Sequence, residues 1–431
     1  MSDHLHQLLN GTLADVDGGA VLAVPTERVV IERSLAGQEA DLLRQLDLGY
    51  RLAVVSDPTT RAVLGERVER AAASLGEVVP IVLEDHPHAD AELAEEIAEA
   101  ANSADAIVAV GSGTINDLCK YAGAQAGKPY AVFATAPSMN GYTSVNAAIT
   151  KAGHKKSIQA QGAMGVLIDL EVFAAAPQRM IRSGLGDSLC RPTAQADWLL
   201  AHRLLGEPYR RAPFALLAED EAQLFAEPEG LLNGDLEAMA LLARTLVLSG
   251  FGMTICGGSQ PASQGEHLIA HYLEMRMDSS LPASFHGEQI AVTTLTMARL
   301  QERLLAGPAP EVRPPPVEPA DFEARYGAET GASCWQEFEK KRLDADSADA
   351  MNARLAETWP RIAAEIAEIT LPSEKLEETV ARIGGPTSYE DLGLPPDVYR
   401  EAVTHAREIR NRFTFLDLAA DSGLFDADFA P

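Results

Sequence analysis

Between Arg28 and Ala134 the chain alternates between short apolar runs and longer stretches of helical spacing. The apolar runs fall at 29–31, 51–56, 78–83, 106–110 and 130–134, and the helical stretches at 38–48, 59–75, 89–101 and 115–125. This alternation is the strongest constraint on what the chain can become. Strands separated by helices pair as a mainly parallel sheet with helices on both faces. The crossovers are then right-handed, and ligands bind beyond the C-terminal ends of the strands.

After about Pro177 the pattern changes. Helical spacing runs through 185–205, 214–226, 231–248, 265–275 and 285–306. A proline-rich stretch from Gly307 to Val317 interrupts it, and helices resume from Ala320. The expected fold is an α/β nucleotide-binding domain over 1–178 and an all-α domain over 179–431, with the junction between 170 and 185. A chain of 431 residues is long enough for two domains.

A net charge of −28 argues against nucleic acid or an anionic membrane surface, since phosphate contacts need clustered Lys and Arg. The cysteines at 119, 190, 256 and 334 form no Cys-x-x-Cys pair, which points to reduced thiols in a cytoplasmic setting. The N-terminus lacks a basic, then apolar, signal segment, and no membrane span is expected.

At Val110-Gly111-Ser112-Gly113-Thr114 a strand ends and a helix begins. Glycine permits the tight turn, and the helix N-terminus presents free N–H groups to phosphate. The next strand ends in a polar loop, Thr135-Ala136-Pro137-Ser138-Met139-Asn140-Gly141-Tyr142-Thr143-Ser144. Two such loops at strand ends build a dinucleotide cleft. Asp57, at an earlier strand end, would accept from a ribose hydroxyl or, equally well, cap the helix that follows.

From Gly250 to Gly265, small residues and Pro261 are expected to break the chain. Glu266 then opens a helix on which His267 and His271, four apart, share a face. His286 follows in Ser-Phe-His-Gly-Glu, and Asp187 sits in Gly-Leu-Gly-Asp. One carboxylate with imidazoles and an open position suits Zn²⁺, and Fe²⁺ or Ni²⁺ would accept the same donors. A metalloprotease is excluded, because no Glu follows His267 as His-Glu-x-x-His requires.

Taken in order, Gly-Ser-Gly-Thr-Ile-Asn-Asp at 111–117, the 135–144 loop, Gly-Leu-Gly-Asp-Ser-Leu at 184–189, Pro-Ala-Ser at 261–263, Glu-His-Leu-Ile-Ala-His at 266–271 and His-Gly-Glu-Gln at 286–289 resemble the sn-glycerol-1-phosphate dehydrogenase family. That family lies within the glycerol dehydrogenase, iron-containing alcohol dehydrogenase and dehydroquinate synthase group. The resemblance covers roughly residues 25–300. It implies that Gly111, Ser112, Gly113, Thr114, Ile115 and Asp117 hold NAD or NADP, with Asp57 at the ribose and Thr135, Ala136, Pro137, Ser138 and Ser144 beside the nicotinamide. It implies a divalent metal, Zn²⁺ foremost and Ni²⁺ or Fe²⁺ next, on Asp187, His267 and His286. Asn140, Lys156, Asp187, Arg191 and His271 would meet a small ketone, polyol or polyol-phosphate, with Asp187, Asn140 and His271 closest to the chemistry. A homo-oligomer, dimer or larger, is implied too.

Two positions depart from the family's usual pattern. Asn140 stands where Asp is usual, and Gln260 where Arg is usual. Asn cannot accept a proton as a carboxylate does, and Gln cannot pair with an anion as guanidinium does. The expected activity is reversible, metal-assisted reduction of a ketone such as dihydroxyacetone phosphate. Two other readings fit the same fold: a lyase of the dehydroquinate synthase kind that uses NAD transiently, and a catalytically silent nucleotide binder.

Overall fold

The computed structural model describes residues 4–151, 154–276 and 281–425. Two compact units emerge, and they interleave in sequence rather than dividing at one residue. The first takes in residues 1–151, 155–188 and 211–259; the second takes in 152–154, 189–210 and 260–431.

The first unit is built on a six-stranded sheet of order β1-β8-β5-β4-β2-β3, parallel at every pairing. The strands are β1 (Arg28–Glu32), β2 (Arg51–Ser56), β3 (Glu77–Val82), β4 (Ala106–Gly111), β5 (Tyr130–Ala134) and β8 (Gly165–Asp169). Every residue of β4, β5 and β8 is buried, as expected of a sheet covered on both faces. The chain leaves β2 toward β3 and leaves β4 toward β5, on opposite sides. The adjacent ends of β2 and β4 therefore form the switch point at which such sheets bind ligands.

The first five strands lie where the alternation predicts them. Three others do not follow from it. β6 (Asn146–Lys151) and β7 (His154–Gln159) form a separate two-stranded sheet, and β8 inserts between β1 and β5. This pair lies between β5 and β8 in the chain, a stretch to which the sequence pattern assigns no regular element.

The helix Leu236–Cys256 belongs to this unit and carries Gly250 and Gly252 within it. The expected break at Gly250 is thus displaced to Gly257, whose φ of 66° ends the helix in the left-handed region. By length and composition this helix could cross a membrane, but 67% of its most apolar window is buried inside the protein. It is a core helix that an eye for unbroken apolar runs passes over.

The second unit is helical, and most of its core comes from the chain beyond Gly307. Phe322, Phe338, Leu355, Trp359, Tyr399, Phe413 and Phe415 surround Leu268, Ile269, Tyr272 and Leu273 of the helix Gly265–Arg276. Burying those four faces commits the opposite stripe of that helix, at 267, 271 and 274, to another task. The cysteines at 119, 190, 256 and 334 are all free thiols.

Candidate functional site

In the first unit, the registers of β4 and β5 set Gly111 beside Ala134. The two cofactor loops therefore start at neighbouring positions, and Thr135 N–H donates to the Gly111 carbonyl at 3.1 Å. The helix Gly113–Ala126 begins at Ser112, whose side chain makes no capping bond. Its first N–H groups keep the polarity that attracts phosphate.

The 135–144 loop is pressed between two helices at glycines. A Cβ added at Gly184, in the helix Gln178–Ser188, would lie 1.7 Å from the Pro137 carbonyl oxygen. One added at Gly250 would lie 2.2 Å from Thr143 Oγ1 and 2.7 Å from the Asn140 carbonyl oxygen. Only glycine allows backbone to approach this closely. Further bonds fix the loop: Ser183 Oγ donates to the Ser138 carbonyl at 3.1 Å, and Tyr142 OH to the Ala136 carbonyl at 2.7 Å. Asn140 N–H donates to Asp187 Oδ2 at 2.8 Å, which joins a residue assigned to substrate with one assigned to metal. Both are buried, at 8% and 1% exposure, and the Asn140 side-chain amide nitrogen has no hydrogen-bond partner among the described residues. Ser144 Oγ accepts from Asn146 N–H at 3.0 Å.

Two residues assigned to the cofactor have structural partners. Asp57 Oδ1 accepts from Thr60 N–H at 2.7 Å and Thr60 Oγ1 at 2.9 Å in a capping box. Asp117 accepts from Asn116 Nδ2 at 2.9 Å and Lys120 Nζ at 3.3 Å through one oxygen, and from Ala148 N–H at 3.0 Å through the other. Lys120 went unnoticed in the sequence, although its i, i+3 spacing from Asp117 was visible. Fully buried, it also donates to the carbonyls of Gly141 at 2.7 Å and Asn146 at 2.9 Å, clamping the loop's far end. Burial pushes its pKa down while Asp117 pulls it up. Lys156 is exposed on β7.

In the second unit, His267, His271 and His286 converge. Their ring centroids lie 5.2 Å apart for 267–286, and 5.7 Å apart for both 267–271 and 271–286. Different partners give them different tautomers. His267 Nδ1 meets Glu266 Oε1 at 2.9 Å, and His286 Nδ1 meets Glu274 Oε1 at 3.2 Å. A carboxylate accepts from each Nδ1–H, so in the neutral ring the lone pair sits on Nε2. This is the orientation that metal-ligating imidazoles adopt. His271 is the reverse: Arg410 Nη2 lies 2.9 Å from its Nδ1. Guanidinium can only donate, so neutral His271 carries its proton on Nε2 and is a donor there.

Other nearby sets of donor atoms lie within 4.8 Å: Cys190 with Glu266 and His267, and His271 with Glu274 and His286. The hydrogen bonds weigh against each as a ligand set. Glu266 also accepts from Gln264 N–H at 2.8 Å, the Cys190 thiol points at the Ala262 carbonyl, and His271 has its acceptor nitrogen on Arg410. Arg191 opens the helix Arg191–Leu205 and donates to Gln195 Oε1 at 3.1 Å. Glu266, Glu274 and Arg410 are partners of the histidines that the sequence reading did not single out. The two glutamates had a signal, since Glu266 adjoins His267 and Glu274 shares its stripe. Arg410 had none, being far away in the text.

A model of the iron-containing alcohol dehydrogenase family matches residues 30–177. The chain is 28% identical over 404 residues to the glycerol-1-phosphate dehydrogenase (NAD(P)+) of Bacillus licheniformis, covering 92% of this chain and 90% of that one. Against the protein of the same name from Bacillus velezensis it is 30% identical over 321 residues, covering 74% and 70%. Among solved structures, the NADH-dependent butanol dehydrogenase A of Thermotoga maritima superposes with a TM-score of 0.62 at 15% identity, covering 95% of this chain and 99% of that one. This sheet, with this much shared sequence, defines an NAD(P)-dependent alcohol dehydrogenase of the iron-containing class. Within that class the chain belongs to the glycerol-1-phosphate dehydrogenase family.

Proposed function

We propose that the chain is a metal-dependent enzyme that reduces dihydroxyacetone phosphate to sn-glycerol 1-phosphate, or a closely related ketone to its polyol. The observation that carries this reading is the split among three imidazoles: a carboxylate meets Nδ1 of His267 and of His286, whereas a guanidinium meets Nδ1 of His271. His267 and His286 would hold the divalent ion together with Asp187. Asp187 stands three residues before Cys190, whose Sγ lies within 4.8 Å of donor atoms of Glu266 and His267. When bound, a divalent ion polarises the ketone oxygen, and the dinucleotide supplies hydride.

The chain's own groups account for the remainder. The open N-terminus at Gly111, Ser112, Gly113, Thr114 and Ile115 receives the pyrophosphate. Thr135 to Ser138, with Ser144, walls the nicotinamide side and excludes water. Asn140 is held by Asp187 through its backbone, and its buried amide is offered to a substrate hydroxyl. His271 would donate a hydrogen bond from Nε2 to the oxygen that gains charge, the added proton coming from solvent or from a relay that includes His271 and returns it a proton. Arg410 at its other nitrogen keeps that tautomer in place.

The test is NADH and NADPH oxidation on a panel of ketones, with and without phosphate, after loading with Zn²⁺, Ni²⁺ or Fe²⁺. Dihydroxyacetone phosphate should be consumed with one equivalent of reduced cofactor. His267→Ala should lose bound metal and more than about 10³-fold in turnover while keeping its helical signal. A metal-free His267→Ala with full activity would sink the reading. Substrate turnover without net loss of reduced cofactor would favour the lyase instead.

A further inference from the structure

The strand order of the first unit fixes which way a dinucleotide runs. In the reading proposed above, the pyrophosphate sits beyond β4 at the Gly111–Ile115 turn, and the nicotinamide beyond β5 at the 135–144 loop. The adenosine half then extends the other way, toward β2 and β3, which follow β4 in the sheet. Neighbouring strands lie about 4.8 Å apart, which brings the ribose joined to that pyrophosphate over the end of β2.

Carboxylates gather there. Pairing of the two strands continues to Leu83 N–H, which donates to the Ser56 carbonyl at 2.8 Å. Asp57 and Glu84 come next and leave the sheet as neighbours. Thr59 Oγ1 lies 3.5 Å from Asp85 Oδ1, so the two loops meet. Asp57 Oδ1 is engaged in its capping box, and among the described residues no hydrogen bond reaches Oδ2. A ribose 2′-hydroxyl can donate to that oxygen. A 2′-phosphate cannot, and it sets about two negative charges against Asp57, Glu84 and Asp85.

The cations that would offset this repulsion are mostly committed. In 57–66, 83–92 and 112–121, the stretches after β2, β3 and β4, the basic residues are Arg61, His86, His88 and Lys120. Lys120 is fully buried on Asp117 and two carbonyls. His86 Nε2 lies 3.7 Å from Asp85 Oδ2, and His88 is exposed. Arg61 decides the matter. Its Nε and Nη2 donate to Oε1 and Oε2 of Glu69, each at 2.9 Å, and Glu66 lies 3.7 Å from Nη1. In a plain α-helix, residues eight apart stand about 80° apart around the axis. A π turn over Arg61–Gly65 takes up one extra residue and returns Glu69 to the face of Arg61. The guanidinium is thereby drawn along its own helix, away from the start where Asp57 stands.

We infer that the chain takes NAD(H) and rejects NADP(H), and that Glu69 enforces the choice by holding Arg61 away from the adenosine ribose. This rests on the reading of the strand ends as the cofactor cleft, which by itself does not choose between the two nucleotides.

Fluorescence titration of the full-length, metal-loaded protein with NADH and with NADPH, at pH 8 and so above the ordinary imidazole range, gives the ratio of dissociation constants without any ketone. The wild type should bind NADH at least about 30-fold more tightly. Raising salt from about 0.05 M to about 0.5 M should narrow the gap several-fold, because the repulsion is screened. Glu69→Ala should narrow it about 10-fold through tighter NADPH binding, as the released guanidinium pairs with the 2′-phosphate. Adding Arg61→Met to Glu69→Ala should restore the wild-type ratio. Asp57→Ser keeps a capping hydroxyl and should narrow the ratio from the other side, by weaker NADH binding. Equal wild-type affinities, a preference for NADPH or a gap indifferent to salt would overturn the inference and leave the cleft standing. A ratio unmoved by Glu69→Ala, or not restored by Arg61→Met, would overturn the part given to the ion pair. Binding of neither nucleotide would bring down the cleft reading and this inference with it.

Discussion

The two candidate functional regions are built on opposite principles. The nucleotide end of the first unit is made of backbone: strand ends in register, an open helix N-terminus and a loop pressed against two helices through Gly184 and Gly250. Its side chains mostly hold the loop, as Lys120 and Tyr142 do. The histidine stripe of the second unit is made of side chains whose nitrogen tautomers are set by Glu266, Glu274 and Arg410. A backbone site fails when atoms are added. A side-chain site fails when a hydrogen-bond partner is removed, even with its shape intact.

The largest expected effect lies on the backbone side. Gly184→Ala places a methyl group 1.7 Å from the Pro137 carbonyl oxygen, and backbone has nowhere to rotate. We expect a loss of about 3 kcal/mol or more in stability, together with loss of dinucleotide binding. Thermal unfolding and NADH fluorescence titration measure the two. A variant that binds cofactor normally would show that the loop is not fixed from this side.

Next is the carboxylate behind His267. Glu266→Gln preserves shape but removes the full acceptor charge from Nδ1. Metal affinity should fall about 10- to 100-fold, with cofactor affinity unchanged. Competition against a chelator of known strength reads the first quantity. Parallel losses in metal and cofactor affinity would erase the contrast between the regions.

How much could be read in advance follows the same division. Glycine and proline have local meanings, so Gly111 to Thr114, the 135–144 loop and the strands between Arg28 and Ala134 were readable in order. The histidine spacing was readable too, because 267 and 271 sit one turn apart. The partners that decide tautomers were harder to read, since Arg410 lies 139 residues from His271 and no periodicity links them. β8 was hidden because it enters the sheet between β1 and β5 only after a separate two-stranded sheet, in a stretch to which the alternation assigns no strand. Gly250 misled for a physical reason: it suggested a break, but its role is contact with Thr143 inside a helix.

The smallest expected effect tests whether the helical unit depends on buried charge away from its site. Asp421 pairs with Arg407 at 2.7 Å, and Arg407 lies over the Phe338 ring at 5.2 Å. Burial pushes the Asp421 carboxyl up to about 6, with Arg407 opposing and Asp417 adding to the rise. A raised folded-state pKa means that the native protein holds this proton where the unfolded chain has already released it. The contribution to stability is therefore complete below about pH 4 and fades as pH rises through about 6. Asp421→Asn removes this titration, so the stability of wild type relative to the variant should drop by about 2 kcal/mol between pH 4 and pH 7. Denaturant unfolding of both proteins across that range measures the difference, and a constant gap would mean that Asp421 is ionised throughout. A falling gap would show that buried charge also shapes the core that carries the histidine helix, whereas strands β4 and β5 at the centre of the sheet carry no charged residue.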